Sequence, residues 1–386
     1  MLEMKFRKLP SASSSLLDVM RGGAAQLVVV GHGISFTGIA PYLKQPNFPW
    51  MQNIAVLVFF ILSGFLITCS LVGKAKNDDY QYFNYFVDRS ARIYTTFLPA
   101  LVFVLCIDFL SIFLGESGYK YWSAFDAKTF VGNLFLLQDF PGLPITSFGS
   151  ARPFWTLAIE WWIYLFVGAL FFFIIKKRSF ALLACVVVFS VVPLYNLVGG
   201  RGNGLFSYWL FGSAIYFLWA SRFLDQVSTK AKIALLALCV ALAAYRVMDT
   251  LVEYEPIFAV LLAINILLFI DLAPRLSLSK AFSGGVAFVA GYSYTLYLVH
   301  YSIYDFLVTH WGQGVGVFIT GFVVSNLVAM AMGYFFEENG ARFVKGWFYR
   351  FLDVVRLKSG AQDRILRNSE SAIIRKSSTG QDSPSP

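Results

Sequence analysis

Charge is scarce in this chain. Of its 386 residues only 14% are Asp, Glu, Lys or Arg, against about 25% in a typical soluble domain. That shortage excludes an ordinary soluble enzyme. Histidine is rarer still, with three residues, His32, His300 and His310. The four cysteines (Cys69, Cys106, Cys185 and Cys239) are scattered through apolar runs. Their spacing fits no zinc, iron–sulfur or thiol-redox motif, so no metal is expected. The first twenty residues are mixed and Ser-rich, with no cleavable-signal pattern. What is present instead is apolar: 58% hydrophobic residues, including 40 Phe, 20 Tyr and 9 Trp. They fall in long blocks with no room for an ordinary soluble domain between them. The fold class expected is an all-α polytopic membrane protein.

A crossing needs about 17–25 predominantly apolar residues. By that measure about ten transmembrane helices are expected, near 22–40, 51–73, 95–115, 153–175, 179–197, 204–220, 231–247, 256–272, 283–308 and 314–336. The positive-inside rule sets their direction. With the N-terminus inside, 25 of the 31 Lys and Arg residues fall on the cytoplasmic side. The outer segments hold only Lys44, Lys120, Lys128, Arg152, Arg201 and Arg246. An N-in, C-in topology follows, and the net charge of +9 reads as topology rather than as a nucleic-acid surface. The expected domains are a transmembrane unit, 1–340, and a basic cytoplasmic tail, 341–386, disordered in its Ser-rich part. The outer stretch from Glu116 to Arg152 carries PGLP and SFGS turn signals and is expected to cap the outer mouth. There is no convincing internal repeat.

Few polar groups interrupt the apolar blocks, and an ionisable residue inside a span is a functional-site hypothesis by default. His32 lies in the first block, with Arg21 eleven residues ahead. Helical rise separates the two by about 16 Å along the axis. Glu160, in FWTLAIEWWIY, enters the fourth span from the outside behind Pro153, which suits a first helical position. Counted from the outer face, Glu160 lies about 10 Å deep and His32 about 12 Å deep, with His300 at a similar level. A buried carboxylate needs a partner, and an imidazole is the natural one. His310, beside Trp311, is expected in an outer loop. Arg89 and Arg92, in DRSARIY, join Arg21 at the cytoplasmic mouth. Snorkelling would account for each alone, but three guanidinium forks also suit a multiply anionic ligand.

Together these residues imply phosphates at the cytoplasmic mouth, a thin arm reaching about 16 Å inward, and a histidine at its tip. Coenzyme A has that shape. An aromatic-lined outer mouth suits sugar rings, although aromatic belts are common at membrane interfaces. A ten-span transporter or flippase of a lipid-linked sugar is the main rival class, and a sensor that binds acyl-CoA without turnover is another.

Five motifs in order resemble those of the acyltransferase-3 family of bacterial membrane acyltransferases, over about residues 15–340. They are Arg21-x10-His32, VFFILSGFLIT from Val58 to Thr68, Arg89-x-x-Arg92-Ile93-Tyr94, FWTLAIEWWIY, and SYTLYLVH from Ser293 to His300. The chain departs from the family pattern at Ala55-Val56-Leu57, where Gly-Val-Asp is usual. It also has Thr95 in place of a Pro and Thr156 in place of a Ser. A fused extracytoplasmic hydrolase-like domain, carried by some members, has no counterpart here.

The resemblance implies a multi-pass protein of the bacterial inner (plasma) membrane. It would move an acyl group, acetyl first, from cytoplasmic acyl-CoA to a hydroxyl of an exported glycan or lipid-linked saccharide. Arg21, Arg89 and Arg92 would hold the CoA phosphates. His32 would be the general base or a transient acyl carrier, oriented by Glu160. His300 would donate to the thioester oxygen. Ser63, Trp155 and Tyr297 would line the substrate path. Oligomeric state is left open.

Overall fold

The computed structural model describes residues 7–350 apart from 116–118, 177, 253, 347 and 349. The Ser-rich part of the expected tail lies outside the described residues. The chain order is α1 Ser11–Thr37, α2 Met51–Lys74, α3 Tyr82–Phe113, α4 Ala127–Leu134, α5 Phe154–Ile175, α6 Phe180–Phe189 and α7 Val191–Val198. It continues with α8 Leu205–Ala220, α9 Thr229–Thr250, α10 Pro256–Leu272, α11 Lys280–Gly291, α12 Ser293–Trp311 and α13 Val315–Met332. A π-helical segment, Gly333–Gly340, extends α13. Among the described residues there is no β-strand, so the chain is an all-α polytopic membrane protein. In lipid a backbone must satisfy its own polar groups, which a helix does.

Each of the ten expected spans coincides with one helical unit, counting the consecutive pairs α6–α7 and α11–α12 as one each. Seven units are long and apolar enough to cross a membrane, and α11–α12, bent by 50°, makes eight if taken as one span. The remaining two are α1, diluted by Asp18, Arg21, Gln26 and His32, and α8, which is short at 16 residues. Two starts are corrected. Helix α1 begins at Ser11 and α3 at Tyr82, well before their apolar runs, because helical backbone hydrogen bonding continues through about three more polar turns.

Close backbone approaches fix the packing. A Cβ on Gly64 of α2 would fall 1.9 Å from the Trp209 carbonyl oxygen of α8, and one on Gly212 would fall 2.0 Å from that of Ile61. The two glycines thus let α2 and α8 cross backbone to backbone, as small residues do between membrane helices. The crossing is latched by Thr68 Oγ1 donating to Ser213 Oγ at 2.8 Å. On α1 the triplet Gly31-His32-Gly33 does the same on two sides. A Cβ on Gly31 would meet Gln52 Oε1 of α2 at 2.5 Å, and one on Gly33 would meet Tyr304 Oη of α12 at 2.6 Å. His32 is therefore carried on the stretch of α1 clamped between α2 and α12.

The helix ends sort to two sides. On the first, Asp88 near the start of α3 pairs with Lys74 at the end of α2 and, at 3.3 Å, with Lys345 beyond α13. On the second, Gln313 Nε2 donates to the Phe36 carbonyl at 3.0 Å, and Gln45 Nε2 donates to that of Leu251 at 2.8 Å. The stretch before α5 packs over this second side. Asp108 of α3 accepts from Ser150 N at 2.8 Å, Ser150 Oγ at 2.6 Å and Tyr119 Oη at 2.9 Å. Ser150 Oγ also lies 2.7 Å from Ser302 Oγ of α12. The segment is a tied cover rather than a loose loop, and it delivers Arg152.

Candidate active site

Two cavities meet in the core. The first, of about 390 Å³, is lined by Arg21, Arg89, Arg92, Ser63 and Glu160, among others. Its arginines come from the first-side turns of α1 and α3. Asp18 accepts from Arg21 Nη2 at 2.9 Å. Arg92 Nη2 lies 3.9 Å from Glu337 Oε1 on the π-helical segment. Glu337 is itself fixed by Thr295, whose N and Oγ1 donate at 3.1 and 2.9 Å. Three buried polar atoms in this lining reach no partner: Arg21 Nε, Arg89 Nε and Tyr294 Oη. Unsatisfied buried donors are costly, and these would be satisfied by an anionic ligand.

Glu160 was expected to orient His32. Its partner is instead Tyr164, one helical turn on, which donates its O–H to the Glu160 carboxylate. Tyr164 Oη lies 2.7 Å from Ser63 Oγ, and Trp209 Nε1 donates to that Oγ at 3.2 Å. Glu160, Tyr164 and Ser63 form a wall of the arginine cavity, backed by Trp209, which the glycine crossing of α2 and α8 brings close.

The second cavity, of about 470 Å³, is lined by His32, Trp155, Arg152, Arg201 and Tyr301, among others. His32 Nδ1 lies 2.8 Å from His300 Nε2, and the rings stack with centroids 5.0 Å apart. His300 Nδ1 lies 3.0 Å from the Leu296 carbonyl oxygen. A carbonyl can only accept, so His300 carries its proton on Nδ1 and presents a lone pair at Nε2. His32 must then donate from Nδ1, which leaves its own Nε2 as a free base. This is the logic of a catalytic triad, with an imidazole where a carboxylate usually stands.

His300 is fully buried, and both its ring nitrogens are engaged. Neither nitrogen is therefore free for the expected donation to a thioester oxygen, and His300 stands where it can orient the His32 ring. His310 also differs from expectation. It sits in the last turn of α12, and its Nε2 lies 3.1 Å from Ser111 Oγ.

Val56 and Tyr297 line both cavities. Tyr297 Oη lies 2.6 Å from Thr156 Oγ1, and Thr156 Oγ1 donates to the Pro153 carbonyl at 3.0 Å. Tyr297 Oη also lies 3.5 Å from that carbonyl, so the two hydroxyls share one acceptor. The Phe59 ring abuts Tyr297 edge-on at 5.8 Å. The expected substrate-path residues thus divide, with Ser63 in the first cavity, Trp155 in the second and Tyr297 between them.

The profile of the acyltransferase-domain family of type 3 matches residues 15–334, an interval that holds every lining residue of both cavities except Lys345. The chain belongs to the acyltransferase-3 family. One relative is an O-acetyl transferase of Shigella phage Sf6, 27% identical over 214 residues, or 53% of this chain. The match spans 61% of that relative's length. No solved structure matches the chain.

Three features of this acyltransferase-3 protein were not read from the sequence. Glu337 carries a visible signal, an acid directly after the last apolar run. The glycines around His32 are a second, legible as a Gly-His-Gly triplet. The entry of Arg152 and Arg201 into the histidine cavity has no local signal, because loops on separate segments bring them there.

Proposed function

We propose that the chain is a membrane O-acyltransferase that carries an acyl group, acetyl first, from cytoplasmic acyl-CoA to a hydroxyl of an exported glycan or lipid-linked saccharide. The observation that carries this reading is the pair of cavities sharing Val56 and Tyr297, one rich in arginine and the other holding a histidine relay. In the first, Arg21, Arg89 and Arg92 receive the phosphates of the donor, and the unpartnered Nε–H groups of Arg21 and Arg89 find acceptors there. The pantetheine arm runs toward Tyr297 and places the thioester carbonyl at the junction. The acceptor sugar sits in the second cavity, between Trp155 and Tyr301.

His32 Nε2 takes the proton of the acceptor hydroxyl as its oxygen attacks the thioester carbon. His300 Nε2 keeps accepting from His32 Nδ1–H and so steadies the cation that forms. Tyr297 turns its O–H to the developing oxyanion. The carbon–sulfur bond breaks, and His32 returns the proton to the thiolate. An ester and coenzyme A thiol result, with atoms and charges balanced and no metal required. Residues 1–340 form the unit that does this, in an N-in, C-in arrangement within the bacterial inner membrane.

The test is glycan acylation by a strain whose copy of this gene carries His32→Ala. Loss of O-acyl signals in the NMR spectrum of the isolated glycan, with the protein still present in the membrane fraction, is expected. Full acylation by that variant overturns the reading. A transporter would instead show a lost or unexported glycan rather than an exported, unacylated one.

A further inference from the structure

The histidine cavity holds more positive charge than its reaction uses. Only six of the chain's basic residues fall in the segments expected outside, and two of the six, Arg152 and Arg201, line this one cavity. Arg201 is held in place: its guanidinium lies over the Trp155 ring at 4.6 Å, and its Nη1 is 3.5 Å from Asp139 Oδ2. Arg152 has no carboxylate partner among the described residues. Two cations thus share one acid. Burial pushes the Arg201 guanidinium below its usual value, Asp139 opposes that, and the neighbouring Arg152 adds to it. A positive pair near a catalytic base, short by one negative charge, is relieved when an oxyanion binds.

The rest of the lining fits a sugar. Trp155, Tyr254 and Tyr301 add aromatic rings to the lining, and Gln52 Oε1 is buried without a partner, an acceptor available to a sugar hydroxyl.

We propose that Arg152 and Arg201, seated against Trp155, form an oxyanion subsite selecting an acceptor sugar that bears a carboxylate or a phosphate near the hydroxyl to be acylated. The proposal rests on the acyltransferase reading for its acceptor but not for its charge. A sugar carboxylate and the phosphate of a lipid-linked sugar present the same chemistry to a guanidinium pair, and the experiment separates them.

The full chain, purified in detergent, is titrated calorimetrically with methyl glucoside, methyl glucuronoside and glucose 1-phosphate, which share one ring and differ in charge. The two anions are expected to bind about tenfold or more tighter than methyl glucoside, the scale of one charge-assisted hydrogen bond. Tighter binding of the glucuronoside assigns a sugar carboxylate, and of glucose 1-phosphate a lipid-linked phosphate. Arg152→Ala is expected to bring the anion-to-neutral ratio close to one, while Arg152→Lys retains most of it. A thermal melt of each variant separates misfolding from a lost site. Equal binding of the three sugars, no measurable binding of either anion, or an unchanged ratio in a folded Arg152→Ala protein overturns the proposal. Such results leave acyl transfer untouched. Conversely, the titration reads no turnover, so a protein without acyltransferase activity still tests the subsite.

Discussion

The two cavities of this acyltransferase-3 protein are similar in size and opposite in construction. The arginine cavity is built from helix interiors. Its arginines sit on α1 and α3, where Arg21 and Arg92 each have a nearby acid, Asp18 or Glu337, and Lys345 beyond α13 joins them in the lining. The histidine cavity borrows its cations from loops, while its helices supply the His32 imidazole and aromatic rings. Rigid elements hold the part that would be common to every turnover, a donor carrying phosphates. Loops hold the part that would set which acceptor enters. Function on loops positioned by a rigid scaffold is a general pattern.

That contrast can be broken from either side. The largest effect is expected at His32. His32→Ala removes the base and should lower kcat for acyl transfer by about 10³-fold or more, with donor affinity nearly unchanged in a binding assay. Next comes its support. His300→Ala should lower kcat by about 10²-fold and leave the KM for acetyl-CoA near its starting value. His300→Asn, whose amide oxygen can accept from His32 Nδ1–H, should recover part of the loss, which a purely structural role would not allow.

On the donor side the pattern reverses. Arg89→Ala should raise the KM for acetyl-CoA by about tenfold, with a smaller change in kcat, and Arg21→Ala should do the same. If either loses kcat alone, the division of labour between the cavities is wrong. The backbone clamp gives a smaller, steric effect. Gly31→Ala forces Gln52 or α2 to shift and should destabilise the folded protein by about 1–3 kcal/mol, read as a lower melting temperature together with reduced transfer. Tyr297→Phe keeps the ring at the junction and removes only the hydroxyl. It should cost several-fold in kcat at least, and up to about 10²-fold if its O–H meets the oxyanion.

The meeting of His32 and His300 was partly legible in the sequence, but little of the site's azimuth was. Counting residues from the ends of apolar runs puts His32, Glu160 and His300 at one level, and the two imidazoles do meet, while Glu160 lines the other cavity. Level is a matter of rise per residue. Facing is a matter of rotation, about 100° per residue, and small errors in a helix's orientation turn a side chain away. Glu160 therefore faces Tyr164 and Ser63, while His300, 268 residues from His32 in the chain, takes the place expected for it. The arginine cluster was easier to read. Arg89 and Arg92 lie three apart on one helix, so their shared face follows from local geometry. The histidine cavity's cations were not readable, because Arg152 and Arg201 sit on loops whose path only tertiary contacts such as Ser150 with Asp108 determine.

The wall shared by Val56 and Tyr297 also has an electrical meaning. In the proposed reaction the acceptor gives up a proton and gains an acyl group that leaves its bonding pair on sulfur, while the donor does the reverse. Two formal unit charges cross the wall in opposite directions, so each turnover is electrically silent. The membrane voltage does about 2.3 kcal/mol of work per 100 mV only on a charge that crosses alone. Vesicles given an inside-negative potential should therefore acylate to the same extent as depolarised ones.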